Sequence, residues 1–248
     1  LKNYHEIKEK FKRIYAVGDI HGCVTELEVL LDYLQGTANL EDSDMIVFIG
    51  DYIDRGADSM QVIELLLDFK KSYPQALFLK GNHEDMFLSY IGEEGGLGEA
   101  WLANGGDKML ASYNIEVELE KEKLRAEIPE THLNFFQSLE RYIITKDYVF
   151  AHAGLNPIKD LKHQVDEDLY WIRDDFIENM HYFKKTVIFG HTPYQDVLLH
   201  LPYKVGIDTG LVYGNMLSCV ELLNGHVFQV AWQEKEVSTT TFSQLLEE

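Results

Sequence analysis

Cysteine is nearly absent: Cys23 and Cys219 are the only two in 248 residues. Two thiols so far apart in sequence make neither a disulfide framework nor a thiolate metal site, and a reducing, cytoplasmic setting is expected. Basic residues are scarce too. Lys and Arg total 22 against 42 Asp and Glu, a formal charge of −20. A surface of that sign repels nucleic-acid backbones and anionic membranes, so neither is expected as a partner. No apolar run approaches membrane-spanning length, and the N-terminal KNYHEIKEKFKR is too charged to read as a signal peptide. Proline occurs only five times, and repeats and low-complexity segments are lacking. With no linker in view, residues 1–248 read as one domain. A chain of this size buries roughly three quarters of its unfolded surface, without need of a disulfide or structural metal.

What is present is a set of short apolar runs: RIYAVGD (13–19), DMIVFIGD (44–51), ALFLKGN (76–82), DYVFAHAG (147–154) and TVIFGHT (186–192). Each has strand length and ends at Gly or Ala beside polar residues. TELEVLLDYL (25–34) and DSMQVIELLLDFKKSY (58–73) carry helical spacing between them, with Asp58 and Ser59 as start signals. This rhythm predicts an α/β sheet covered by helices. Residues 85 to about 143 differ: glycine-rich EEGGLGEAWLANGG precedes VELEKEKLRAEIPETHLNFFQSL, which reads as helix broken at Pro129. A mainly helical insertion is expected there. DVLLHLP, YKVGIDTG, MLSCVELL and GHVFQVAW predict antiparallel strands of a second sheet, and KEVSTTTFSQLLEE an edge or a loose tail.

Every one of the five runs ends in metal-type side chains: Asp19 and His21 in GDIHG, Asp51, Asp54 and Arg55 in GDYIDRG, Asn82 and His83 in GNHE, His152 in HAG, and His191 in GHT. Singly, each has a plain reading as helix cap, turn or surface histidine. Five together at the carboxyl ends of strands, where ligands bind in α/β sheets, do not. Oxygen and imidazole donors without thiolate suit Mn2+, Fe or Zn2+. Six candidates (Asp19, His21, Asp51, Asn82, His152, His191) are too many for one catalytic zinc. They suit two ions about 3.5–4 Å apart sharing a carboxylate.

In that order, GDIHG, GDYIDRG, GNHE, HAG and GHT resemble the signature of the phosphoprotein phosphatase branch of the calcineurin-like metallophosphoesterases, over residues 14 to 220. The resemblance implies a β-sandwich of two mixed sheets flanked by helices, and a binuclear centre with two divalent cations. It assigns Asp19, His21 and Asp51 to one ion and Asp51, Asn82, His152 and His191 to the other. His83 would be the general acid, Asp54 the carboxylate orienting it, and Arg55 and Arg173 (in LYWIRDDF) the phosphate clamps. The IDTG stretch is similar to bacterial and phage members and to dinucleoside tetraphosphate hydrolases. WLANGGDKMLASY (101–113) resembles the W..NGG segment of bacterial and phage protein phosphatases, placing Asn104 and Gly105 at the substrate mouth. Glu84 is expected to serve only the helix start, and Tyr213 to be an ordinary packed tyrosine.

Three functions follow. The first is a serine/threonine protein phosphatase acting on phosphoproteins or phosphorylated small molecules through metal-activated water, with Mn2+ favoured. A dinucleoside tetraphosphate hydrolase would use the same groups on a phosphoanhydride. A catalytically silent binding module would have no need to keep His83, Asp54 and Arg55.

Overall fold

Every residue of the run Ile14–Val17 is buried, and alternate side chains enter different cores: Tyr15 and Val17 one, Ile14 and Ala16 another. Met45–Phe48 divides the same way, with Ile46 and Phe48 on one face and Met45 and Val47 on the other. Side chains alternate along a strand, so a strand buried on both faces must lie between two layers and reads as an unbroken apolar run.

The computed structural model describes residues 4–117 and 120–247. Its strands, in chain order, are β1 (His5–Glu6), β2 (Ile14–Val17), β3 (Met45–Phe48), β4 (Leu77–Phe78), β5 (Tyr142–Ile144) and β6 (Tyr148–Ala151). They continue with β7 (Thr186–Phe189), β8 (Leu198–His200), β9 (Lys204–Gly206), β10 (Met216–Glu221), β11 (His226–Ala231) and β12 (Val237–Thr241). One sheet has the order β12-β11-β10-β2-β3-β4 and the other β1-β5-β6-β7-β9-β8. Both are mixed. In the first, β2, β3 and β4 run parallel while β10 to β12 are antiparallel. In the second, β6, β7 and β9 run parallel, with β5 and β8 pairing antiparallel beside them.

Helices cover both outer faces. α1 (Val24–Gly36) and α2 (Ser59–Ser72) share a core with the first sheet. The same core takes Phe87 of α3 (Asn82–Tyr90), Met109 of α4 (Gly106–Ser112), Leu124 of α5 (Lys121–Glu127) and Phe136 of α6 (Glu130–Gln137). α7 (Asp166–Trp171) and α8 (Asp174–Ile177) bring Leu169, Tyr170 and Phe176 onto the second sheet. A short α9 (Phe242–Leu245) closes the chain. The layers are helix, sheet, sheet, helix, as the resemblance implies. No helix among the described residues is long and apolar enough to cross a membrane.

The insertion is mainly helical as expected and breaks at Pro129 between α5 and α6, although Glu118 and Leu119 of the expected helical stretch lie outside the described residues. One expectation needs correcting. The tail strands do not build a sheet of their own: β8 and β9 extend the sheet of β7, and β10 to β12 extend that of β2. Of the five motif strands, three lie in one sheet and two in the other. Periodicity reports which faces a strand buries, but its neighbours depend on the crossovers. The last segment is an edge, with β12 paired to β11.

Candidate active site

Both sheets turn the carboxyl ends of three parallel strands to the same place. β2, β3 and β4 deliver Asp19, Asp51 and Asn82, while β6, β7 and β9 deliver His152, His191 and Asp208. All six residues are buried. The approach is close enough to exclude side chains: a Cβ on Gly81 would lie 2.1 Å from Asp51 Oδ1, and one on Gly190 2.1 Å from Asp19 Oδ1. Gly81 has a φ of −92°, so space rather than left-handed geometry demands glycine there. His21, Asp51, Asp54, Arg55 and His191, by contrast, are non-glycine residues at positive φ. Such conformations persist only where the surroundings enforce them, and they gather at functional sites.

Two groups of ligand atoms meet at Asp51. One holds His21, Asp51 and His83, the other Asp51, His152 and His191, with the atoms of each within 4.8 Å of one another. His21 Nε2 is 3.3 Å from Asp51 Oδ2, and His152 Nε2 is 3.4 Å from Asp51 Oδ1. Asn82 Oδ1 joins the second group, 3.0 Å from His152 Nε2 and 2.9 Å from His191 Nδ1. Backbone carbonyls select the nitrogens: His21 Nδ1 lies 2.9 Å from Ile53 O and His152 Nδ1 2.9 Å from Ile49 O. With Nδ1–H donating outward, Nε2 presents its lone pair inward, the usual arrangement behind a metal-ligating histidine. Asp19 accepts the His191 amide through Oδ2 at 3.1 Å and sits beside these groups rather than within them.

The electrostatics fit divalent cations. Burial alone disfavours ionised Asp51, but His152, His83 and His21 outweigh it and hold the carboxylate well below its ordinary range. Burial, Asp208 and Asp51 drive Asp19 well above its own. Three buried carboxylates crowd one pocket, where uncompensated charge is costly and cations reverse the balance. Burial also lowers His152 and brings His191 down to about 2, the neutral form that ligates. His191 Nε2 has no hydrogen-bond partner in the structure.

Beside the ligand groups lies a buried pair. His83 Nδ1 is 2.6 Å from Asp54 Oδ2, and His83 Nε2 is buried without a partner. Burial pushes the imidazole down to about 4 and raises the Asp54 carboxyl, so both members favour their uncharged forms. With Nδ1 engaged by Asp54, Nε2 is the nitrogen left for a partner in the pocket. Arg55 Nη1 donates to His21 Nε2 at 2.6 Å, and Arg173, exposed, donates to Thr192 Oγ1 at 3.2 Å in the GHT turn. Asn104 is half-buried, its amide donating to Ala100 O at 2.8 Å.

Several residues escape a reading by motif. Glu84 does serve the helix start, its Oε2 accepting the Gly81 amide at 2.9 Å. It also accepts the Asp51 amide at 3.0 Å and the Tyr52 amide at 2.8 Å, tying GNHE to GDYIDRG. Burial and Asp51 push this carboxyl up to about 8 against the amides that hold it down. Above that pH, where the carboxylate is ionised, Glu84→Gln turns one acceptor into a donor facing an N–H, and we expect a loss of about 2–3 kcal/mol in urea unfolding. A change below about 0.5 kcal/mol would remove Glu84 from this role.

Asp208 follows the same pattern as the motif strands, an apolar run (KVGI) ending in Asp, and that pattern was its signal. Trp101 Nε1 donates to Asp54 Oδ2 at 2.9 Å. Tyr213 is not packed away: it is 65 % exposed, with the Arg55 guanidinium 5.7 Å from its ring centre. Ser59 is no simple helix cap, since its hydroxyl accepts the Asp54 amide at 3.0 Å. Cys23 packs at the start of α1, where burial pushes the thiol up to about 12 and keeps it unreactive.

A family model described as calcineurin-like phosphoesterase matches residues 12–226. Over 219 residues the chain is 32 % identical to serine/threonine-protein phosphatase 2 of Salmonella typhimurium, covering 84 % of this chain and 92 % of that protein. It is 27 % identical over 234 residues to the asymmetrical bis(5'-nucleosyl)-tetraphosphatase PrpE of Oceanobacillus iheyensis, covering 83 % and 87 %. A crystal structure provisionally assigned as a diadenosine tetraphosphatase superposes with a TM-score of 0.68 at 24 % identity, over 94 % of this chain and 99 % of that one. A protein serine/threonine phosphatase from Saccharomyces cerevisiae does so at 0.61 and 17 %, over 97 % and 84 %. At these identities the superpositions speak for the fold.

Proposed function

The chain belongs to the calcineurin-like phosphoesterases, and from that premise we propose that it is a serine/threonine protein phosphatase using two Mn2+ ions. The carrying observation is Asp51, one carboxylate shared by two histidine groups, with the His83–Asp54 pair beside it. His21, Asp51 and Asp19 would hold one ion, and Asp51, Asn82, His152 and His191 the other. The ions, when bound, supply Lewis acidity, neutralising phosphoryl oxygens and making a water acidic enough to attack at neutral pH.

The chain's own groups do the rest. Arg55 and Arg173 bring planar forks of donors to the phosphoryl oxygens, with Asn104 at the same mouth. His83 Nε2 gives its proton to the serine or threonine oxygen as the P–O bond breaks, and Asp54 supplies the opposite nitrogen, Nδ1. A protein substrate is favoured by the groove of about 910 Å³ that opens alongside, reaching from Lys80 and Gly95–Leu97 to Trp171. Trp171 in turn stands edge-on to His191, with ring centres 5.9 Å apart.

One observation favours the alternative, hydrolysis of a dinucleoside tetraphosphate: Tyr213 offers an exposed ring beside Arg55, where a base can stack. Steady-state rates on a phosphoserine peptide and on diadenosine tetraphosphate decide between them. Higher kcat/KM on the peptide is expected, in the presence of Mn2+ and abolished by a chelator. Equal or higher efficiency on the dinucleotide overturns the protein-phosphatase reading, and activity that survives chelation overturns the metal mechanism.

A further inference from the structure

We infer that the WLANGG segment, Trp101 to Gly106, is a positioning device for Asp54 and Arg55, with Trp101 holding Asp54 in line with His83. The inference rests on the reading of His83 as proton donor.

Asp54 meets His83 through one oxygen, at 2.6 Å. One hydrogen bond leaves the plane of a carboxyl group free to swing. On its other side the indole N–H reaches both oxygens, Oδ2 at 2.9 Å and Oδ1 at 3.1 Å. Indole is a donor only and exchanges no proton with the pair, so it can orient Asp54 without competing for the proton that His83 delivers. The donor is itself immobile. Trp101 is fully buried, with its ring 5.2 Å from that of Phe87 and 4.9 Å from that of Tyr90. Gly106 lies flat on the indole, where a Cβ would come within 2.5 Å of Cε2.

Four residues after Trp101, the segment grips the neighbouring clamp. Gly105 O accepts the Arg55 amide at 3.2 Å, and a Cβ on Gly105 would lie 2.9 Å from Arg55 Cγ. Gly105 also has a φ of 102°, open to glycine and strained for other residues. Asn104 closes the turn through Ala100 O. One short segment of the insertion therefore holds both members of the Asp54–Arg55 pair, which themselves sit at positive φ with little local reason to stay there.

Trp101→Phe tests the role, because it keeps an aromatic ring and removes the N–H. On a phosphoserine peptide, whose alkoxide needs a proton to leave, kcat is expected to fall about tenfold or more, with KM and bound metal unchanged. On p-nitrophenyl phosphate, whose leaving group needs little help, the loss is expected to be at least about fivefold smaller. In an Asp54→Asn background the same substitution is expected to cost no more than about twofold. Equal losses on both substrates, or in both backgrounds, reduce Trp101 to packing and overturn the inference. Where the phenylalanine variant does not fold, benzothienylalanine at position 101, which exchanges only the N–H for sulfur, carries the same expectations. His83→Asn serves as the reference. If it shows no contrast between the two substrates, the proton-donor reading falls and this inference with it. If it shows the contrast and the Trp101 variants do not, this inference alone falls.

Discussion

His83→Asn is expected to lower kcat on a phosphoserine peptide by roughly 10²–10⁴-fold while leaving two ions bound per chain. The substitution keeps a small polar side chain in a fully buried position and removes the imidazole paired to Asp54. Its backbone amide, which donates to Asp51 Oδ1 at 3.1 Å, is untouched, so the shared ligand keeps that support. The measurement has two parts, steady-state kinetics and metal content after dialysis. The second is decisive because His83 lies in the same ligand-atom group as His21 and Asp51, while Asp19 lies beside it. A variant that is slow and has lost one ion makes His83 a ligand. A variant that is slow with both ions retained makes it the acid and leaves the ligand position to Asp19.

Asp51→Asn carries the other large effect, and its signature is stoichiometric. Asp51 is the one residue common to both ligand groups, so its neutralisation is expected to empty both positions and reduce activity to that of the chelated protein. His152→Ala removes a member of one group only, and one ion per chain is expected to remain. The contrast between zero and one, read by metal analysis on folded protein, tests the shared carboxylate directly. Two ions retained by Asp51→Asn would rule out the binuclear arrangement drawn around it. Fold retention is the necessary control, since Asp51 accepts the His83 amide while its own amide donates to Glu84.

Asp19, Asp51, Asn82, His152 and His191 were legible because each directly ends an apolar run, a pattern contained in a few consecutive residues. Helices α1 and α2 were legible from spacing, and the sandwich from the family resemblance. The allocation of strands to sheets was not, since β9 and β10 are close in sequence yet pair with β7 and β2 in different sheets. Glu84 looked like a helix-start residue because its second task, holding the Asp51 and Tyr52 amides, reaches across more than thirty positions (33 and 32). Trp101 stands 47 residues from the carboxylate it holds. No local pattern encodes such a distance.

By itself, then, the sequence determined the chemical inventory: oxygen and imidazole donors, an arginine beside a carboxylate, and no thiolate, all set at the ends of strands. Those properties belong to single side chains and to short-range periodicity, which survive without any knowledge of the fold. Tertiary structure alone decided that three strand ends from each sheet meet, and that Trp101 and Glu84 hydrogen-bond to the GDYIDRG loop from distant positions. Hydrogen bonds of this kind act only over about 3 Å, so which residues they join depends on where distant parts of the chain are packed together.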